Sequence, residues 1–152
     1  MLNSDIVMRA LKTAAGYHAG QMRKGKDIPY IVHPVEVAFI LRENDMEEVV
    51  IAAGLMHDLL EDTEMIVKKI RKKFGERIVK LVRGASEKLE NRDNISWEER
   101  KKHTIDHITN AEYEIQCITC AGEPLHLNQR FRWSFFPNVV NISTRSPLLY
   151  IY

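Results

Sequence analysis

Met56-His57-Asp58-Leu59-Leu60-Glu61-Asp62-Thr63 follows directly on an apolar run, Val49–Met56, and adds four titratable side chains to it. The pattern predicts a helix from about Met46 to Glu61, with Asp45 as its cap. On a helical wheel with His57 at 0°, Asp58 falls at about 100°, Glu61 at about 40° and Asp62 at about 140°. All four then share one face. An imidazole beside carboxylates suits a divalent metal such as Mn²⁺, Fe²⁺ or Zn²⁺. Carboxylates one turn further on suit a general base, or a group that holds an attacking water. Taken alone, a His-Asp pair near a helix end is equally a cap or a solvated face.

A second histidine strengthens the metal reading. Tyr30-Ile31-Val32-His33-Pro34 places His33 at the entry to another helix, because Pro34 suits a first helical turn. Alone, His33 reads first as a capping or core histidine. Two histidines from different elements, with carboxylates beside one of them, make a better metal proposal than either does alone.

Around these blocks the chain reads as helix after helix. Asn3 or Ser4 can cap a first helix, whose apolar residues from Ile6 to Ala15 follow a 3.6-residue period. Gln21–Tyr30 is polar, holds Gly25 and Pro29, and reads as a loop. Thr63 can cap a helix ending at Gly75, and another covers about Glu76–Gly84. Ser96 and Glu99 form a capping box that opens a helix to about Thr109. Ala111–Ala121 can form a last one. The fold class expected is therefore all-α, a helical bundle.

Composition limits the function classes. The 152 residues carry 22 basic and 21 acidic side chains, a net charge of +1, which argues against a strongly basic nucleic-acid binder. No apolar run approaches the roughly 20 residues that span a bilayer. The first residues show no signal-peptide core, so a cytoplasmic location is expected. Two cysteines, Cys117 and Cys120, are too few for a disulfide scaffold and read as buried helical thiols.

The blocks Ala15-Gly16-Tyr17-His18-Ala19-Gly20-Gln21-Met22-Arg23-Lys24, Pro29-Tyr30-Ile31-Val32-His33-Pro34 and Ala52–Thr63 carry a resemblance. In order and spacing they resemble the HD-domain hydrolases of the Rel/SpoT alarmone family, and the small single-domain alarmone hydrolases most. Phe74-Gly75 before Ile78–Val82, and Ser96–Lys101, also fit. The resemblance covers about residues 3–121; residues 1–121 are expected to form one HD domain, with 122–152 a divergent tail. It implies an all-helical HD bundle with one Mn²⁺ and removal of the 3′-pyrophosphate from ppGpp or pppGpp, giving GDP or GTP. It implies His33, His57 and Asp58 as metal ligands, and Glu61 and Asp62 as the pair that positions and activates water. It also implies Arg23 and Lys24 beside the guanine, where a guanidinium can stack on a base, and Arg100 and Lys101 near phosphates. The partner is then a small guanine nucleotide, with neither nucleic acid nor membrane. The 152 residues leave no room for a synthetase half, so hydrolysis rather than synthesis of the alarmone is expected.

The chain departs from the family pattern at one point. The family takes a last metal ligand from an Ala-Asp-Lys-Leu-x-Asn motif on a late helix, and here Ala121 is followed by Gly122, Glu123 and Pro124. Composition breaks at the same place. Residues 1–116 carry 39 charged side chains, whereas residues 117–152 carry four: Glu123, Arg130, Arg132 and Arg145. The tail from 122 is expected to be irregular or extended, and reads as out of frame or recombined relative to its ancestor. Its Arg130–Phe136 segment reads either as a dimer contact or as aggregation-prone. Two rival functions remain open: an impaired HD domain that only binds guanine nucleotide, and an HD phosphohydrolase of another nucleotide.

Overall fold

The computed structural model describes residues 5–86 and 96–122, apart from the side chains of residues 97, 100, 101, 104 and 105. The expected cap at Asn3 or Ser4 and the tail 123–152 lie outside the described residues. The described chain is helical. It runs α1 (Asp5–Tyr17), α2 (Val32–Glu43), α3 (Glu48–Met56), α4 (Leu59–Asp62), α5 (Val67–Phe74), α6 (Glu76–Ala85), α7 (Trp97–Thr109) and α8 (Tyr113–Gly122). Among these residues the only β-pairing is one isolated bridge, Met22 to Pro29, inside the polar loop.

α3 is the axis of the bundle. Every residue from Val50 to Met56 is buried, as expected for a helix apolar all round rather than along one stripe. α1, α2, α6 and α8 pack around it, α5 lies on α6, and α7 on α8. Burying side chains such as Leu41, Ile51 and Ile78, each at most 1% exposed, stabilises the bundle by about 1.5–3 kcal/mol apiece before the entropy of ordering is subtracted.

Two backbone features position the site. A Cβ on Gly54 would run into Leu41 Cδ1 and come within 3.2 Å of Val37 Cγ1. Glycine there lets α2 and α3 pack closely. Their antiparallel contact sets the start of α2, with His33, beside the end of α3, with His57. The second feature corrects the sequence reading. The helix expected from Met46 to Glu61 is two helices, broken at His57 and Asp58. Asp58 has φ −88° and ψ −8°, and its carbonyl accepts from the amides of Glu61 (3.1 Å) and Asp62 (2.9 Å). At the break, Ser86 Oγ lies 3.1 Å from the His57 carbonyl and 2.7 Å from that of Val82. The end of α6 thus supplies a polar contact that the interrupted helix lacks.

Two caps also move. Asp45 does not cap α3. It sits at φ 55° in the turn after α2, a left-handed position that aspartate tolerates better than most residues. Glu47 is the N-cap of α3. Thr63 does not cap α5, which starts after Ile66. Instead its hydroxyl donates to the Leu59 carbonyl (2.6 Å) and accepts from the Met65 amide (3.1 Å). The Ser96–Glu99 capping box forms as read.

Candidate metal centre

Each end of the α2–α3 contact contributes one imidazole, and the break after α3 contributes a carboxylate. His33, His57 and Asp58 each offer one ligand atom, and these atoms lie within 4.8 Å of one another. His57 Nε2 is 3.0 Å from Asp58 Oδ1, and His33 Nε2 is 3.5 Å from Asp58 Oδ2. The two imidazole rings meet edge-on, with centroids 5.2 Å apart.

His57 is only 6% exposed, and its Nδ1 lies 2.8 Å from the Gly54 carbonyl. A carbonyl can only accept, so Nδ1 carries a proton and Nε2 is the atom turned towards Asp58. The backbone thereby selects the tautomer and orientation that a metal-binding histidine needs.

Charge in the cluster follows from burial and proximity. Burial lowers the His33 imidazole to about 4, with Asp58 opposing and the nearby cations adding to the shift. Burial also penalises charge on His57, but the Asp58 carboxylate and the hydrogen bonds to Asp58 and Gly54 outweigh it and raise that imidazole. Asp58 is buried too. His57 first, then His33 and the Tyr30 hydroxyl, hold it ionised well below the usual carboxylate range. A neutral His33 and an ionised Asp58 are the protonation states that ligate, whereas His57, raised by Asp58, gives up its Nε2 proton when a metal binds.

Tyr30 is the residue that sequence reasoning missed. Its hydroxyl lies 2.6 Å from Asp58 Oδ2 and 2.9 Å from Asp62 Oδ2. One phenol therefore joins the carboxylate of the metal cluster to a carboxylate of the pair after it. Burial first, then both aspartates, push its ionisation far above the ordinary tyrosine value, so it remains a neutral hydroxyl. His18, 2% exposed, stacks on Tyr30 with centroids 4.7 Å apart. His18 Nδ1 lies 2.8 Å from Gln21 Oε1, and Gln21 Nε2 donates to the Asp62 carbonyl at 2.9 Å. Tyr30 stands three residues before His33, but nothing in its spacing announces a bridging hydroxyl.

The other expected residues fall at different distances from the cluster. Glu61 and Asp62 follow on the short α4, just after the break at His57 and Asp58. They line an open cleft of about 1000 Å³ between α1, α4 and the end of α5. Arg23 pairs with Glu36 of α2 at 3.3 Å, and Lys24 is exposed in the polar loop. Arg100 and Lys101 lie on α7, and their side chains are outside the described residues.

Gly122, the last residue of α8, lies against the cluster. A Cβ there would come 2.9 Å from His57 Nε2 and 3.3 Å from Cδ2. A side chain at 122 would thus project onto the ligand face of His57, the place where the family pattern puts its last aspartate. With glycine, two imidazoles and one carboxylate remain among the described residues. That donor set fits Mn²⁺, Fe²⁺ or Zn²⁺.

Comparison with known proteins places the chain in a family. The HD domain family profile matches residues 10–110. The chain belongs to the HD domain family. It is 42% identical over 84 residues to the guanosine-3′,5′-bis(diphosphate) 3′-pyrophosphohydrolase of Aquifex aeolicus (strain VF5), covering 55% of this chain and 12% of that one. It is 38% identical over 99 residues to the GTP pyrophosphokinase of Myxococcus xanthus, covering 64% and 13%. HD-domain chain and relatives thus share one module, and the chain spans about an eighth of the length of these curated relatives. Among solved structures it is similar to one described as a metazoan orthologue of SpoT that hydrolyses ppGpp and plays a role in starvation responses. The TM-score is 0.71 at 28% identity, covering 82% of this chain and 69% of that one. No helix among the described residues is long and apolar enough to cross a membrane.

Proposed function

We propose that this HD domain hydrolyses the 3′-diphosphate of ppGpp or pppGpp to give GDP or GTP and pyrophosphate, with one Mn²⁺ and in the cytoplasm. The observation that carries the reading is the Tyr30 bridge. It couples a two-histidine, one-aspartate cluster to a second pair of carboxylates, in a chain whose relatives bear the names of ppGpp hydrolases and synthetases.

His33, His57 and Asp58 would hold the cation. When bound, it supplies Lewis-acid stabilisation of phosphoryl charge and a lowered water pKa. The remaining work falls to the chain's own side chains. Water attacks the phosphorus bonded to O3′, the P–O3′ bond breaks, and pyrophosphate leaves with the oxygen of that water. Glu61 or Asp62 accepts the proton from the attacking water, and the same proton returns to O3′ as the nucleoside hydroxyl forms. Tyr30 serves Asp62 in this exchange. Its single hydroxyl proton points to Asp58 across the shorter contact, so its oxygen is free to accept from Asp62 when Asp62 carries the proton. Gln21 holds the Asp62 backbone while this happens. Arg23 and Lys24 receive the guanine, and Arg100 and Lys101 reach phosphate.

Turnover of ppGpp by the purified 152-residue chain, with and without Mn²⁺, tests the reading by following GDP and pyrophosphate. Mn²⁺-dependent release of both products is expected. Stoichiometric ppGpp binding without release, in folded protein, would overturn it in favour of a binding domain that the loss of an aspartate at 122 has disarmed. Turnover of other nucleotides with ppGpp inert would overturn the substrate assignment.

A further inference from the structure

The cleft that begins at Glu61 and Asp62 continues along α1 and ends between Lys12 and Lys73. It changes character along its length. Carboxylates line one end, Thr13 and Gly16 the middle, and ammonium groups the other end. Lys12 and Lys73 form no ion pair among the described residues, although acidic side chains line the same cleft. Lys69, one turn before Lys73 on α5, is held against Tyr17, which lines the cleft, with its Nζ 3.2 Å from the Tyr17 hydroxyl and 5.7 Å from the ring centroid. Arg9 fixes the backbone here, since its guanidinium donates to the Lys73 carbonyl and lies 5.2 Å over the Phe74 ring. Gly16 leaves the middle open, with no atom within 4 Å of where its Cβ would stand. Favourable basic charge at the end of α5 accounts for Lys73, but it does not account for Lys12, which comes from another helix to the same place.

We propose that this end of the cleft is a diphosphate-binding arm, in which Lys12 and Lys73, backed by Lys69, receive a diphosphate adjoining the site at Glu61 and Asp62. This rests on the nucleotide-hydrolase reading for its purpose but not for its test. Two flexible ammonium groups suit a mobile, multiply charged diphosphate better than a single planar anion. The diphosphate has two sources, the 5′ end of the substrate or the pyrophosphate released from its 3′ end.

The deciding experiment is a titration of inorganic pyrophosphate into the full chain in EDTA, where neither metal nor turnover contributes. Wild type is expected to bind, and Lys12→Glu/Lys73→Glu to weaken binding more than tenfold. Lys68→Glu/Lys72→Glu, which makes the same charge change on residues outside the cleft, should stay within threefold. All four lysines are exposed, and circular dichroism checks that both variants fold. Equal weakening in both variants would reduce the effect to general surface charge and overturn the proposal, as would no weakening in either. Turnover then separates the sources. A KM raised for ppGpp but not for guanosine 3′-diphosphate assigns the arm to the 5′ end. Relief of pyrophosphate inhibition alone assigns it to the product.

Discussion

Gly122→Ala is the substitution whose outcome the geometry fixes most tightly. The added methyl would stand 2.9 Å from His57 Nε2, 3.3 Å from Cδ2 and 3.7 Å from Cε1. Favourable contact distances between such atoms are about 3.5–4.0 Å, so the ring must retreat by roughly half an ångström. It has little room to do so. Nδ1 is bonded to the Gly54 carbonyl at 2.8 Å, Asp58 lies 3.0 Å from Nε2, and the residue is 6% exposed. Overpacking a filled site costs about 1–3 kcal/mol. Replacing a helical glycine returns at most about 1 kcal/mol, and less at a helix end. The expected net is a destabilisation of about 0.5–2 kcal/mol, together with weaker Mn²⁺ binding because a ligand has been displaced. Gly16→Ala is the matched control. It too is helical, in the last turn of α1, but nothing lies within 4 Å of its Cβ position. It should stabilise by a few tenths to about 1 kcal/mol. Urea denaturation reads both, as opposite shifts of the midpoint at constant slope. If Gly122→Ala stabilised the chain as much as Gly16→Ala does, residue 122 would not lie against His57, and the account of the missing ligand would fail.

Other expectations follow from single groups. Tyr30→Phe removes the hydroxyl that joins Asp58 to Asp62. A hydrogen bond to a charged group is worth about 1.5–3 kcal/mol, so kcat for ppGpp should drop roughly ten- to hundredfold with the fold intact; an unchanged kcat would remove Tyr30 from the site. Glu61→Gln should keep Mn²⁺ at wild-type stoichiometry yet lose about 10²–10⁴-fold in turnover, and a variant of normal rate would eliminate Glu61 as a proton acceptor. Ser96→Ala breaks the capping box of α7 and should cost about 1 kcal/mol, seen as faster amide exchange in the first turn of α7. Unaltered exchange there would show that the box contributes nothing.

The helices were legible because their signals are local. An uninterrupted apolar run makes α3, a serine and a glutamate three residues apart make the cap of α7, and Gly75, at φ 86°, ends α5 where a glycine was expected to. The break at His57 was not legible, since Met56–Asp62 keeps helical composition throughout. One contact at the break is tertiary. Ser86 reaches the His57 carbonyl from a helix 29 residues away, and His57 turns back onto Gly54. The single helix read from Met46 to Glu61 was therefore wrong as one element, although the three residues His33, His57 and Asp58 do meet. Tyr30 was missed for a related reason. A bridging hydroxyl needs two carboxylates positioned 28 and 32 residues away, and no local period encodes that. Gly122 was noticed only as a missing aspartate, and its contact with His57 depends on how α8 packs on α2 and α3.

Binding of Mn²⁺ tests the centre itself, separately from turnover. Titrated with Mn²⁺ and followed by the electron paramagnetic resonance of the free ion, the wild-type chain should take up one equivalent, and folded His57→Ala should take up none. Retention of a full equivalent by His57→Ala would contradict the assignment of the cluster as the metal site.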